Sequence, residues 1–138
     1  FELPRDLAYE KDGVRVECPV TDEMPDELFC DIGAQTVADY RALLAQAKTI
    51  FANGPAGTYE REALFSYGTR GIWQAIADSD GYSVIGGGDT VTSATKFVGK
   101  ERFGYVCTAG GAMVRFMSGK KLPLIDAMER AWARDNAK

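Results

Sequence analysis

Three times in succession, a short apolar run ends in a glycine-containing turn and passes into helical sequence. Thr49-Ile50-Phe51-Ala52 ends in Asn53-Gly54-Pro55, Tyr82-Ser83-Val84-Ile85 in Gly86-Gly87-Gly88-Asp89, and Tyr105-Val106-Cys107-Thr108 in Ala109-Gly110-Gly111. Helices are expected over 64–77, 90–97 and 112–117, with a last amphipathic helix over 124–134 after Pro123. Strand, turn and helix in alternation predict an α/β fold: a parallel sheet with crossover helices, Rossmann-like in type. Right-handed crossovers set all three turns at the carboxyl edge of one sheet. Open α/β sheets bind their ligands there.

Ahead of this pattern, 3–9 and 14–20 read as short strands joined by a turn at Lys11-Asp12-Gly13, and 21–31 as a loop. Val37, Tyr40, Leu43, Leu44 and Ala47 recur at helical spacing and predict a helix over 35–47. Trp73 and Trp132 lie at helical spacing beside apolar neighbours, which favours core packing over ligand stacking for both.

The chain has 138 residues, the size of one domain, and a net charge of −4. No segment is rich in Lys and Arg, so nucleic acid and anionic membrane are not expected partners. No apolar stretch approaches the roughly 20 residues of a membrane-crossing helix. There is no histidine, which removes Ser-His-Asp and Cys-His catalysis. Cys18, Cys30 and Cys107 are odd in number and form no CxxC pair, so free thiols in a reducing cytoplasm are expected. In an acidic chain of this kind, anion binding has to come from local backbone dipoles.

The three turns are suited to that task. In Gly86-Gly87-Gly88-Asp89-Thr90, bare backbone lets N–H groups approach a polyphosphate, and the following helix adds its positive end. Asp89 is placed to meet a magnesium ion shared with the phosphates. The competing reading is a plain strand-to-helix turn with Asp89 or Thr90 as helix cap. Thr108-Ala109-Gly110-Gly111-Ala112 offers two adjacent N–H groups where transferring phosphoryl oxygens would sit, or else close strand–helix packing. Asn53-Gly54-Pro55 makes a shaped wall, and Glu60 either accepts hydrogen bonds from ribose hydroxyls or only favours a helix start. Arg61, Arg70 and the acidic stretch from Asp22 to Glu27 read as surface charge.

Taken together, Asp31-Ile32-Gly33, the run from Lys48 to Gly57, Glu60, the run from Ile85 to Thr90, the run from Thr108 to Ala112 and Gly119-Lys120-Lys121-Leu122-Pro123 resemble phosphoglycerate kinase in order and spacing. The form Ala52-Asn53-Gly54-Pro55-Ala56-Gly57 is similar to archaeal members. The resemblance implies that residues 1–138 are the C-terminal part of that family's nucleotide-binding domain. It implies phosphoryl transfer between 1,3-bisphosphoglycerate and ADP, in glycolysis and gluconeogenesis, with magnesium. Glu60 would contact the ribose, Asn53, Gly54 and Pro55 would flank the sugar and phosphates, and Gly87, Gly88, Asp89 and Thr90 would hold the phosphates with Asp89 on Mg2+. Gly110 and Gly111 would face the transferring phosphoryl group.

There are departures from the family pattern. Ala52 stands where most members have tryptophan, Ala34 where they have proline, and Ala109 where the turn usually has glycine. Ala109 would cost about 1 kcal/mol if its position required left-handed backbone. The family's first domain, which holds 3-phosphoglycerate, has no counterpart in these residues, nor do the phosphate-gripping lysines of the early nucleotide domain. The start at Phe1, without Met, fits a piece of something longer. Negligible kinase activity is expected of these residues alone. An uncovered sheet edge or apolar face is expected where the remaining strands would sit, inviting self-association or pairing with the rest of the chain. A non-catalytic module that binds nucleotide or protein is the second reading.

Overall fold

Asp12 and Gly13 both take left-handed backbone, with φ of 52° and 79°, in a computed structural model that describes residues 1–137. This is the geometry of a two-residue hairpin turn whose twist matches its strands. It joins β1 (Asp6–Lys11) to β2 (Val14–Pro19), with Lys11 opposite Val14. A two-residue strand, β3 (Asp31–Ile32), pairs antiparallel with the other side of β1. The sequence reading left Asp31 at the end of a loop, because two residues carry no periodicity.

The repeating pattern forms the expected parallel sheet. β4 (Thr49–Asn53), β5 (Tyr82–Gly86) and β6 (Tyr105–Cys107) lie side by side in that order, with Asn53 opposite Gly86 and Gly86 opposite Cys107. α1 (Ala34–Leu44) precedes β4. α2 (Glu62–Phe65) and α3 (Tyr67–Ala77) connect β4 to β5, and α4 (Gly88–Phe97) connects β5 to β6. α5 (Gly111–Met117) and α6 (Pro123–Asp135) follow. The segment 64–77, expected as one helix, is two. Ser66 separates them and turns its hydroxyl back to the Glu62 carbonyl at 2.7 Å, while the Gly68 amide starts a new helix by donating to Asp31.

The core lies between the sheet and α3 and α4: Ile50, Trp73, Ile76, Ile85, Ala94 and Phe103 are packed together. Burying side chains of this size contributes roughly 1.5–3 kcal/mol each. Trp73 meets the Phe103 ring edge-on, with centroids 6.1 Å apart, and its Nε1–H donates to Ser93 Oγ at 3.0 Å. The Ser93 hydroxyl in turn lies 2.8 Å from the Asp89 carbonyl and 3.0 Å from that of Thr90. The tryptophan thereby braces the first turn of α4, at the sheet's carboxyl edge.

Trp132 does not join this core: it is 70% exposed on α6. Leu124, Ile125 and Met128 are exposed beside it, so the apolar stripe of α6 is real but faces no element among the described residues. Helical spacing identifies a stripe and cannot tell what covers it. The parallel sheet is likewise open at both sides: among the described residues, β4 and β6 each pair only with β5. An apolar hollow of about 420 Å³ lies beside β4, walled by residues that include Tyr40, Leu43, Phe51 and Ile72. This matches the expected uncovered edge.

Candidate functional site

The register of the parallel sheet brings the three turns to one place. Asn53, Gly86 and Cys107 are cross-strand neighbours, so the residues after them leave the sheet together. The Gly87 amide donates to the Cys107 carbonyl at 3.0 Å, extending the ladder past β5. A Cβ at Gly87 would lie 2.8 Å from Asn53 Oδ1 and 3.6 Å from the Gly110 Cα. One at Gly110 would lie 3.4 Å from the same asparagine oxygen. The three turns are therefore in van der Waals contact around Asn53, the first residue of the wall motif.

Gly54 and Gly87 have φ of 102° and 103°, in the region open to glycine but costly for other residues. The Gly54 N–H donates to the Thr90 hydroxyl at 2.6 Å. Thr90 is 1% exposed, so its side chain serves as a stitch between two turns and does not face the opening. Of Thr90, expected among the residues that hold the phosphates, the hydroxyl is thus taken by Gly54, which leaves its first-turn amide for that role. What faces outward is backbone: beyond Gly54, Gly88 and Gly111 there is open space. The first amides of α4 and α5 have no intrahelical carbonyl to donate to and sit at the positive ends of their helices.

Neither Asp89 nor Thr90 caps α4, contrary to one sequence reading. Gly87 is the capping residue, no side chain bonds there, and the helix begins at Gly88, two residues ahead of the expected start at Thr90. Asp89 is left exposed in the first turn, beside the outward amides. Glu60 is also exposed, and it lies in a turn just ahead of α2 instead of at a helix start. The two carboxylates share a neighbourhood. Between them, buried Tyr59 has its hydroxyl pushed up from the usual range, first by burial and then by the negative charge of Glu60 and Asp89, with Lys96 opposing.

The cationic side chains near the opening are engaged elsewhere. Lys96 pairs with Glu62 at 2.6 Å, Arg70 with Glu62 at 3.4 Å, and Arg61 with Glu10. The surface-pairing expectation for Arg61 and Arg70 holds. Among the described residues no group of three His, Cys, Asp or Glu side chains surrounds a common point. A divalent ion here would rest on one or two carboxylates plus ligand phosphates, the habit of Mg2+ in nucleotide sites. Asp89, exposed in the first turn of α4, fits that mode.

Ala109 adopts no left-handed backbone: Asp12 is the one non-glycine residue that does among those described. The strain expected of this substitution does not arise. Gly110 starts α5 with φ −91° and ψ −80°. The position before it tolerates a methyl group, and the turn still closes on Gly87.

Sequence reasoning missed a buried ion pair behind the Gly54–Glu60 wall. The Asp31 carboxylate is fully buried, accepts from the Gly68 amide at 3.0 Å, and pairs with Arg15 at 2.9 Å. Arg15 also donates to the carbonyls of Leu64 and Ile32, at 2.8 and 2.9 Å. Burial lifts the Asp31 carboxyl above its ordinary range, although the Gly68 amide and Arg15 pull the other way. Asp31 was visible only as part of the Asp31-Ile32-Gly33 motif. Nothing in local spacing points to Arg15, which reaches it across the hairpin.

A short parallel sheet with glycine turns meeting at its carboxyl edge, one exposed carboxylate at the second turn and bare amides at two helix starts defines an α/β domain whose open edge suits an oxyanion. The family model for phosphoglycerate kinase matches residues 1–120. The chain is 41% identical over 133 residues to the phosphoglycerate kinase of Methanothermus fervidus, covering 96% of this chain and 32% of that protein. It is 50% identical over 100 residues to that of Coxiella burnetii, covering 72% and 25%. The solved structure of the Coxiella burnetii enzyme superposes with a TM-score of 0.80 at 43% identity, covering 91% of this chain and 33% of that one. The enzyme from Pyrococcus horikoshii superposes with a TM-score of 0.77 at 38% identity, covering 94% and 32%. This chain belongs to the phosphoglycerate kinase family, and it spans about a third of the length of the curated relatives it matches.

Proposed function

We propose that residues 1–138 form the C-terminal part of the nucleotide-binding domain of a phosphoglycerate kinase, acting in the cytoplasm in glycolysis and gluconeogenesis. The reaction moves a phosphoryl group from the acyl phosphate of 1,3-bisphosphoglycerate to the terminal phosphate oxygen of ADP, giving ATP and 3-phosphoglycerate. These residues supply the nucleotide side. The phosphoglycerate side belongs to a part of the protein that this chain does not include.

In this reading the amides of Gly88, Asp89 and Thr90 hold the nucleotide phosphates at the positive end of α4, and Gly87, whose own N–H is taken by the Cys107 carbonyl, shapes the turn that presents them. Asp89 would hold Mg2+, which neutralises charge shared between phosphate oxygens. Gly110 and Gly111 direct amides at the transferring phosphoryl group, whose charge spreads over three oxygens in transit. Asn53, Gly54 and Pro55 form the wall, and Glu60 accepts from the ribose hydroxyls. Thr90 keeps the wall and the phosphate turn at a fixed separation. Such a site contributes position and fixed dipoles, which is most of what phosphoryl transfer asks of a protein.

The contact of Gly54, Gly87 and Gly110 around Asn53 carries this reading. Calorimetry with Mg-ADP tests it: measurable heat at millimolar ligand, lost on Asp89→Ala together with omission of magnesium, is expected. Absence of heat with the intact protein would end it. The open edge of β4 and the adjoining apolar hollow are where the rest of the same polypeptide pairs, or where a second copy pairs when the rest is missing.

A further inference from the structure

We propose that Asp31, held by Arg15, is a positioning residue for the nucleotide wall, acting through Gly57. The inference rests on the nucleotide reading above and adds to it the group that sets the wall's place. The wall runs from Gly54 to Glu60. At its near end it is fixed by the Gly54–Thr90 hydrogen bond of 2.6 Å. At its far end it is fixed by a different group of contacts, to the residue before β3 and to α3. The Thr58 amide donates to the Cys30 carbonyl at 2.7 Å, and the Gly57 amide to Thr69 Oγ1 at 3.0 Å.

Asp31 sits inside that second anchor. Its carboxylate occupies the space that side chains would fill at both Gly57 and Gly68: a Cβ at either position would fall within the van der Waals sphere of Asp31 Oδ1. The wall and the start of α3 therefore close directly on one buried charge. That charge is satisfied at four points: the Ile32 amide at 2.9 Å, the Gly68 amide at 3.0 Å, Arg15 at 2.9 Å and the positive end of α3. Arg15 is fixed in turn by Glu17 at 2.8 Å and by the carbonyls of Ile32 and Leu64. The β1–β2 hairpin thereby reaches, through two side chains, the loop that flanks the nucleotide.

A buried pair of this kind is weak evidence for stability, since an apolar replacement is often as stable. It is strong geometry: the loop cannot approach β3 more closely or slide along it without displacing a fully buried carboxylate. Only Pro55 and Ala56 separate Gly57 from Gly54, so a shift at the anchor is carried to the opening.

The test measures ADP and 1,3-bisphosphoglycerate kinetics, with Mg-ADP calorimetry, in the intact protein that carries this chain. Wild type is compared with Asp31→Asn, which keeps the shape and removes the charge, and Gly57→Ala, which keeps the charges and forces the wall and the Asp31 carboxylate apart. Both variants are expected to raise the KM and dissociation constant for ADP by about tenfold, the scale of a sub-ångström to ångström misplacement. The KM for 1,3-bisphosphoglycerate is expected to stay within about twofold. A merely structural role would lower the melting temperature and leave the ADP constants alone. Wild-type ADP constants in folded Asp31→Asn and Gly57→Ala overturn the proposal; if Asp31→Asn does not fold, Gly57→Ala decides. Failure of wild type to bind Mg-ADP at all would instead sink the nucleotide reading, so the two failures are told apart.

Discussion

The Gly54 amide donates to the Thr90 hydroxyl at 2.6 Å, joining the turn after β4 to the first turn of α4 across 36 residues of sequence. Thr90 is buried, so the bond is sheltered from competing water. It sets the width of the opening between the wall and the phosphate turn.

Thr90→Val replaces this acceptor by a methyl group of similar volume and leaves the Gly54 N–H without its partner. Losing a part-buried hydrogen bond of this kind costs about 0.5–1.5 kcal/mol. The melting temperature and Mg-ADP affinity should both fall in Thr90→Val, and Thr90→Ser should restore both. Differential scanning calorimetry and ligand titration on the two variants check this.

Gly87→Ala strains a backbone at φ 103° and drives its methyl against Asn53 Oδ1, whereas Gly88→Ala places a methyl in open space. Gly87→Ala should therefore lower stability by about 1–2 kcal/mol. Gly88→Ala should be close to neutral for folding and weaken nucleotide binding by crowding the phosphates. Urea unfolding separates the two effects.

Asp6 accepts from the amides of Gln35 and Thr36 at 2.9 and 2.8 Å and from the Thr36 hydroxyl, and so caps α1 from a distance. Partial burial raises its carboxyl, but the three hydrogen bonds outweigh this and hold it below the ordinary carboxylate range. A lowered folded-state value means the stabilisation is present above the unfolded value, near pH 4, and fades as pH falls through the folded one. Asp6→Asn should thus be less stable than wild type at pH 7 by about 1 kcal/mol, as for loss of a cap. The gap should close as pH falls well below the folded-state value. Thermal melts from pH 7 downwards provide the check.

Trp73 is 1% exposed and Trp132 is 70% exposed. Trp73→Ala should cost about 3–5 kcal/mol through the cavity it leaves. Trp132→Ala should change the stability of this chain by about 0.5 kcal/mol or less. Acrylamide should quench the Trp132 component strongly and the Trp73 component weakly.

The two tryptophans also show what the sequence could reveal. Both sit at helical spacing, and only one is buried. Periodicity gives the apolar face, but burial depends on what packs against it, and nothing described covers α6. The parallel strands and the meeting of their turns were legible, because strand, glycine and helix recur in a pattern that topology allows in few ways. The hairpin was legible from Asp12-Gly13. β3 and the Arg15–Asp31 pair were not: a two-residue strand has no period, and a contact across a hairpin leaves no local mark. The Gly54–Thr90 hydrogen bond was not legible, since a hydroxyl beside a glycine turn can face ligand or neighbour and only packing decides. Ala109 suggested strain that the φ angles do not bear out.

Titrating Mg-ADP into isotope-labelled protein while following backbone amides tests the central claim most directly. The account predicts that Gly54, Gly87, Gly88, Gly110 and Gly111 shift together with one dissociation constant, while the β1–β2 hairpin tip at Asp12 and Gly13 stays still. Shifts scattered over unrelated surfaces, or confined to one turn with the other two silent, would contradict it.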